Sequence, residues 1–169
     1  MNLIIPGLAR TGTRSLWKFF KEHPEVITSK VKEPLRINNN LDNYFNNFNI
    51  TESTKFIFDG TPELTNYPII HQLGRLPEIK RIYQIWFTRN PVNRIKSMIN
   101  RLNKLSDVDL LTLPRYVLDI DMKSQLVKAR CILGGENVFV SDIYKGVERQ
   151  IEDFLKITKT TLKISWDKH

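Results

Sequence analysis

This sequence of 169 residues has little cysteine and no long apolar run. Its single cysteine, Cys131, excludes an internal disulfide framework and is typical of a reducing compartment. Because Cys131 lies on an apolar face of a predicted helix, we expect its thiol in the core. No apolar run approaches the ~20 residues that span a bilayer, and Pro6 and Gly7 stop the apolar start too early for a secretory signal. We therefore expect a cytoplasmic protein without a membrane span.

Histidine and acidic residues are also scarce. The three histidines, at positions 23, 71 and 169, have no metal-ligand spacing with one another or with Cys131, so the sequence predicts no metal site. The 18 acidic residues are outnumbered by 26 basic ones, and the net charge of +8 predicts an anionic partner. Because the basic residues are scattered rather than gathered on one aromatic-rich face, we expect this partner not to be nucleic acid.

Short apolar strands alternate with amphipathic helices along what we expect to be one domain, residues 1–169. The predicted strands are residues 2–5, 26–28, 55–58, 81–88 and 137–140, and the predicted helices are 13–22, 67–73, 91–102, 113–133 and 145–157, with a short helix in the asparagine-rich segment 38–49. This alternation indicates an α/β domain of three layers, with a central, mostly parallel sheet flanked by helices. Ligands bind beyond the carboxyl ends of such strands, and three unusual segments fall there: 7–15, 59–62 and 89–97.

Residues 7–15, Gly-Leu-Ala-Arg-Thr-Gly-Thr-Arg-Ser, join the first strand to a helix. Glycines let backbone N–H groups approach an anion, and a helix start adds unpaired N–H donors. Arg10 and Arg14 oppose the helix dipole unless an anion binds there. The two glycines have the spacing of a Walker A loop, but Thr13 stands where that motif requires lysine. The alternative is a plain turn capped by Thr13 or Ser15.

Residues 89–97 form a second basic segment. Arg89 ends the most convincing strand, and Pro91 opens a helix on which Arg94 and Ser97 share a face. An arginine paired with a hydroxyl group suits a phosphate monoester. The alternative is a solvated basic helix without a ligand.

Taken in this order, the two segments resemble those of sulfotransferases that use 3'-phosphoadenosine 5'-phosphosulfate (PAPS), especially the Golgi-type heparan sulfate and tyrosylprotein members. Residues 9–16 are similar to the family's 5'-phosphosulfate loop, and Arg89-Asn90-Pro91 with Ser97 is similar to its 3'-phosphate motif. Further likenesses, which extend the resemblance over about residues 2–157, are His23-Pro24-Glu25-Val26, Lys32-Glu33-Pro34, Asp59-Gly60-Thr61-Pro62 and the late strand and helix within 138–155.

The resemblance implies a P-loop-like fold, shared with nucleotide kinases, and PAPS as co-substrate with adenosine 3',5'-bisphosphate (PAP) as product. It implies a cofactor-binding set of Arg10, Thr11, Gly12, Thr13, Arg14, Ser15, Arg89 and Ser97. Arg10 would also stabilise the leaving oxygen, and Glu33 would be the general base. The sulfuryl group would pass to a hydroxyl or amine of a glycan, a peptide or a small molecule, and no metal is required.

The resemblance implies a small member of the family, and this chain departs from the family's pattern at two places. Gly60 stands where many members have a lysine that assists the transferred group, so that Lys30 or Lys32 would have to replace it. Only residues 158–169 follow the last predicted helix, where the family usually has a further basic loop. The alternatives are a P-loop-like nucleotide kinase or phosphotransferase, a non-catalytic polyanion or nucleotide-binding module, and a sulfotransferase fold without turnover.

Overall fold

The computed structural model describes residues 1–9, 11–34, 41–62, 67–102, 122–142 and 146–159. These residues form five strands and five α-helices. The strands are β1 (Asn2–Pro6), β2 (Val26–Thr28), β3 (Phe56–Phe58), β4 (Arg81–Thr88) and β5 (Val138–Asp142). The helices are α1 (Thr13–Glu22), α2 (Tyr67–Leu73), α3 (Pro91–Leu102), α4 (Met122–Leu133) and α5 (Glu148–Leu155), with short 3-10 helices at Leu41–Asn47 and Gly135–Asn137.

The five strands form one sheet in the order β2-β3-β1-β4-β5, and every neighbouring pair is parallel. The predicted fold class, an α/β domain around a parallel sheet, is confirmed. All strands therefore end at the same side of the sheet. We call this side the carboxyl edge, and the residues of interest there are those that follow β1, β3 and β4. This edge positions the candidate site, because β1 lies between β3 and β4.

The residues of β1 alternate between two hydrophobic clusters, as a strand buried on both faces requires. On one face, Ile4 packs with α1 and α5. On the other, Leu3 and Ile5 pack with α2 and the 3-10 helix Leu41–Asn47. Burying each such side chain contributes roughly 1.5–3 kcal/mol, so packing on both faces holds the strand ends in place.

The asparagine-rich segment differs from its prediction. It forms a 3-10 helix with non-helical geometry at Asn43, not a regular α-helix, and residues 38–40 lie outside the described part of the chain. The side-chain Nδ2 of Asn47 donates to the Tyr44 carbonyl at 2.9 Å, and such local side-chain bonds compete with helical ones. The predicted apolar face is nevertheless correct, since Tyr44 and Phe48 are buried in the second cluster.

Helix α4 corrects the expectation for Cys131. The predicted helix 113–133 is seen from Met122, and residues 113–121 are outside the described residues. Cys131 is exposed, so the expectation of a core thiol was wrong. The inward face of α4 carries Met122, Leu126 and Ala129, and a residue two positions beyond Ala129 points about 200° away from it.

The predicted final helix, 145–157, begins with a residue outside the described part of the chain, and over residues 146–157 it is shorter than predicted. It spans Glu148–Leu155 and ends where Lys156 adopts a left-handed conformation, with φ of 55°. None of the helices in the described ranges has the length and apolar character that crossing a membrane requires.

Candidate active site

The segments that follow β1, β3 and β4 meet at the carboxyl edge. The Asp59 amide after β3 donates to the Ile4 carbonyl of β1 at 3.0 Å. On the other side of β1, the Arg94 Nε of α3 donates to the Ala9 carbonyl at 3.2 Å. The two basic segments are therefore in direct contact, although 85 positions separate Ala9 from Arg94 in the chain.

Internal bonds hold the loop after β1 in shape. The Gly7 amide donates to the Ile85 carbonyl at 2.7 Å, so this N–H group serves the sheet and not an anion. A Cβ at Gly7 would lie 2.7 Å from the Trp86 ring, which explains the glycine by packing. The buried Thr11 hydroxyl donates to the Leu8 carbonyl at 2.6 Å. Gly7 and Thr11 thus shape the loop, and Arg10 lies outside the described residues.

The start of α1 is open. Gly12 is its N-cap in a left-handed conformation (φ 90°), and its first turn holds no acidic residue. Among the residues that the structure describes, no side chain caps the helix. The first intrahelical bond is donated by the Leu16 amide to the Gly12 carbonyl, so the amides of residues 13–15 precede the bonded ladder. This excludes the turn capped by Thr13 or Ser15. Because no described side chain accepts a bond from these first amides, they and the positive end of the dipole suit an anion.

The side chains at this helix start differ in exposure. The side chains of Thr13 and Ser15 are buried, and that of Arg14 is exposed. The sequence therefore correctly placed a helix start here. The structure adds that Arg14 is the side chain of this turn that reaches solvent.

The start of α3 is closed. The Asn90 Oδ1 accepts bonds from the Val92 amide at 2.9 Å and the Asn93 amide at 3.3 Å, so this side chain caps the helix. An anion at this second segment would depend on side chains, and Arg89 and Ser97 are both partly exposed there. We expected Arg94 only to share a face with Ser97, but it is 7% exposed and links α3 to the loop after β1.

Glu33 lies beside the turn that follows β3. Its Oε1 is 2.7 Å from the Lys32 Nζ, and the two side chains are 18% and 32% exposed. A Cβ at Gly60 would lie 2.5 Å from the Lys32 carbonyl oxygen and 3.3 Å from the Trp17 ring. Gly60 is therefore where α1, the turn after β3 and the segment that carries Glu33 come together.

Asp59, the residue before Gly60, forms a buried hydrogen-bond network. Its carboxylate accepts from the Tyr44 hydroxyl at 2.9 Å and from the Thr61 amide at 2.8 Å. Burial raises the pKa of Asp59 to about 6; the bonds from Thr61 and Tyr44 act against this, and the charge of Glu33 adds to it. Burial, followed by the charge of Asp59, raises the pKa of Tyr44 well above its usual range.

Sequence reasoning treated Asp59 as part of a turn signal and missed its bond to Tyr44. The available signal was the position of Tyr44 on the apolar side of the asparagine-rich segment. A buried hydroxyl needs a partner, and the acidic residue at the end of a neighbouring strand supplies one.

No protein-family model matches this sequence, and no curated protein matches it. Among solved structures, it is similar to a crystal structure of a sulfotransferase from Alicyclobacillus acidocaldarius. The TM-score is 0.73 and the sequence identity 18%, over 99% of this chain and 85% of the other. This chain has a sulfotransferase-like fold. At this identity the similarity establishes the arrangement of strands and helices, and the likeness to Golgi-type and tyrosylprotein members stays a prediction.

Within this sulfotransferase-like fold, the His23-Pro24-Glu25-Val26 segment lies where α1 ends and β2 begins, away from the carboxyl edge. The His23 Nδ1 accepts from the Glu25 amide at 3.2 Å, so its Nε2 carries the proton and donates to the Thr158 carbonyl at 2.7 Å. The same nitrogen is 3.5 Å from a carboxylate oxygen of buried Glu152. These contacts tie α1 to α5 and the residues after it, so this segment holds the fold together.

Proposed function

We propose that this protein is a PAPS-dependent sulfotransferase. The observation that carries the proposal is the bond between Arg94 and the Ala9 carbonyl, because it joins two separately predicted anion-binding segments at one edge of the sheet. PAPS carries anionic groups at the 5' and 3' positions of one nucleoside, and therefore needs two neighbouring anion sites. The similarity to a solved sulfotransferase fold supports the same conclusion.

The residues of the first segment would hold the 5' end. The open start of α1 suits a phosphosulfate, since uncapped amides and the helix dipole favour negative charge there. In this proposal Arg10, Thr11, Gly12, Thr13, Arg14 and Ser15 form the 5' subsite. Thr11 acts through the loop that its hydroxyl closes, while Arg14 supplies an exposed guanidinium.

Arg89 and Ser97 would hold the 3'-phosphate. Their helix start is already capped by Asn90, so a guanidinium and a hydroxyl must supply the contacts. Arg94 is a positioning residue here, because its Nε bonds to the Ala9 carbonyl and so would hold the two subsites beside each other.

Bound PAPS supplies an activated sulfuryl group, and the chain's own residues manage the charge and the proton. The acceptor oxygen or nitrogen forms a bond to sulfur as the bond from sulfur to the bridging oxygen breaks, and that electron pair leaves with PAP. Arg10 and the amides at the start of α1 stabilise the charge on the leaving oxygen. Glu33 removes the acceptor proton, a role that typically contributes ~10²–10⁴-fold in rate.

Calorimetric titration tests this proposal. We expect PAP to bind in the absence of metal and to compete with inorganic sulfate or phosphate, with Mg·ATP much weaker. Tight binding of Mg·ATP without binding of PAP would instead support a nucleotide kinase. Strongly salt-dependent binding to random oligonucleotides without binding of PAP would support a polyanion-binding module.

A screen with labelled PAPS then identifies the acceptor among glycans, peptides and small molecules that bear hydroxyl or amine groups. The matched variant is Glu33→Gln, which should abolish transfer and leave PAP affinity nearly unchanged. Unchanged transfer in this variant would remove Glu33 from the mechanism. Binding of PAP without transfer to any acceptor would support a fold that has lost turnover.

A further inference from the structure

A cavity lies at the amino edge of the sheet, the side where the strands begin, opposite the candidate active site. Its volume of about 390 Å³ falls within the range of roughly 300–1,000 Å³ that is typical of small-molecule sites. It is bounded by the residues before β4 and β5 and by the ends of α2 and α4. Because the eight residues of β4 span about 25 Å, this cavity is separate from the two predicted anion-binding segments.

Part of the lining is apolar and consists of five aliphatic side chains. Ile70, Ile79 and Ile82 are buried in the second hydrophobic cluster, and Ile132 and Leu133 pack against that cluster. Removing apolar surface from water is favourable in proportion to its area, so these side chains favour a ligand with an apolar ring or chain.

The rest of the lining is mainly basic. His71, Arg75 and Lys80 line the cavity with exposed side chains, and none of the described residues that line it is acidic. Within the described part of the chain, these three side chains have no hydrogen bond or ion pair. Arg81, by contrast, places its guanidinium carbon 6.0 Å from the centre of the Tyr83 ring. Basic groups without an acidic partner, beside apolar side chains, favour an organic anion.

Asn137 adds a hydrogen-bond acceptor to the lining and is 7% exposed. Its Nδ2 donates to the Leu133 carbonyl at the end of α4, which fixes the orientation of the side-chain amide. Among the described residues, its Oδ1 has no hydrogen-bond partner. A buried acceptor without a partner costs free energy, and an N–H or hydroxyl group on a ligand would remove that cost.

We propose that the amino-edge cavity binds a small organic acid with an apolar ring or short chain. The acidic group would pair with Arg75 and Lys80, and the apolar part would cover Ile79 and Ile82. This inference goes beyond the proposed function and is independent of it, because it uses no residue of the carboxyl edge.

Gly74 offers a way to close the cavity. A Cβ there would lie 3.4 Å from the Ile70 carbonyl oxygen and 3.8 Å from the Ile82 Cδ1, which are ordinary contact distances, and Gly74 is not among the glycines with positive φ. A longer side chain at this position therefore starts beside the apolar lining, and Gly74→Met should fill the cavity and keep the fold. Gly135→Met is the matched control, because Gly135 is outside the lining and a Cβ there meets nothing within 4 Å.

Calorimetry with three probes tests the proposal. Indole-3-acetate carries a ring, an N–H group and a carboxylate, 3-methylindole lacks the carboxylate, and acetate lacks the ring. We expect indole-3-acetate to bind with a Kd of ~1 mM or below, as the affinity per atom of ligands of this size implies. The other two probes should bind at least about tenfold more weakly, and saturating PAP should not displace indole-3-acetate.

Two pairs of variants locate the probe. Arg75→Glu should weaken indole-3-acetate by about tenfold or more, because a charge-assisted bond is lost and a repulsive charge is added. Arg149→Glu makes the same change of charge at an exposed residue of α5 and should leave the affinity unchanged. Gly74→Met should abolish binding, and Gly135→Met should preserve it.

A Kd of indole-3-acetate well above ~1 mM overturns the proposal, and so does equal binding of 3-methylindole or acetate. Displacement by PAP would place the probe at the carboxyl edge and also overturn it. Equal losses in Arg75→Glu and Arg149→Glu would reflect net charge alone and reject the site. If thermal unfolding shows that Gly74→Met does not fold, the comparison of Arg75→Glu with Arg149→Glu decides. If PAP does not bind at all, the proposed function fails, but the variants still test the cavity.

Discussion

The starts of helices α1 and α3 occupy equivalent places, each after a strand end of the same parallel sheet, but they are built in opposite ways. Gly12 has no side chain with which to cap α1, and no other side chain in the described part of the molecule caps the amides of residues 13–15. Asn90 caps α3 through bonds to Val92 and Asn93. A helix start can bind an anion through its backbone only where the protein has not supplied its own acceptor.

Under the proposed function, this difference would give the two ends of the nucleotide different chemistry. The 5' subsite would depend on backbone amides and charge, while the 3' subsite would depend on individual side chains. Arg94 joins them, because it belongs to the second segment and bonds to the backbone of the first.

The largest expected effect is on the free energy of unfolding, and it comes from Asp59, a buried carboxyl group in the turn after β3. The pKa of Asp59 is raised from 3.8 to about 6 in the folded protein, so between these values the folded state binds more protons than the unfolded state. Stability contributed by protonated Asp59 is complete below pH 3.8 and is lost as the pH rises through about 6, at a cost of about 3 kcal/mol.

Urea unfolding between pH 4 and pH 7 measures this effect, with Asp59→Asn as the comparison. The variant should lack the downward slope of the free energy of unfolding that the unaltered protein shows over this range. Parallel pH profiles for the two proteins would mean that Asp59 is not held neutral by burial.

The next largest effect separates helix stability from anion binding. Arg14→Glu places a carboxylate in the first turn of α1, where the dipole favours it by about 0.3–1 kcal/mol. The same carboxylate repels the 5' group, so PAP affinity should fall by about a hundredfold or more as a cation is replaced by an anion.

Val92→Glu is the matched control, since Val92 occupies the same second position of α3 and is 57% exposed. This substitution should weaken the binding of PAP much less, because Asn90 already caps the start of α3. Equal losses in the two variants would contradict the division into an open and a closed helix start. Calorimetry with PAP measures binding, and thermal unfolding measures stability.

Ser97→Ala tests the side-chain subsite. Loss of a hydroxyl that would bond to the 3'-phosphate should lower the affinity for PAP by about tenfold. Adenosine 5'-phosphosulfate, which lacks the 3'-phosphate, should bind the variant and the unaltered protein equally well. An equal loss for both nucleotides would place Ser97 outside the 3' subsite.

The smallest effect concerns the cap itself. Asn90→Ala removes the side chain that accepts bonds from two amides of α3, which should lower the free energy of unfolding by about 1 kcal/mol. Asn93→Ala, three residues further along the helix, should change it by less than about half of that, because the Asn93 side chain is exposed and does not cap. Denaturant titration of both variants distinguishes a cap from an ordinary surface residue.

Local patterns predicted much of the fold. The bounds of α1, β2, α2, β4 and α3 agree with the sequence analysis, because each has a clear apolar period and a proline, glycine or turn residue at one end. The asparagine-rich segment was less predictable. Its apolar spacing identified the buried side chains, but the local bonds of Asn43, Asn46 and Asn47 favoured a kinked 3-10 helix.

The candidate site also combines features that the sequence predicted with contacts that it did not. The order of strands and basic segments placed 7–15, 59–62 and 89–97 at one edge, because parallel strands all end on the same side. The contact of Arg94 with Ala9, the bond of Tyr44 to Asp59 and the packing of Lys32 on Gly60 could not be predicted. Each joins residues that only the packing of separate elements brings together.

The sequence alone determined which segments are strands and helices, which loops carry charge and that these loops share an edge. These properties follow from periodicity along a few neighbouring residues. Only the tertiary structure decided that α1 begins open and α3 closed, that Asp59 is buried and that Gly60 is covered by Lys32. Whether a polar group meets an acceptor, solvent or another backbone depends on distances between elements, and those distances are set by the packing of the whole core.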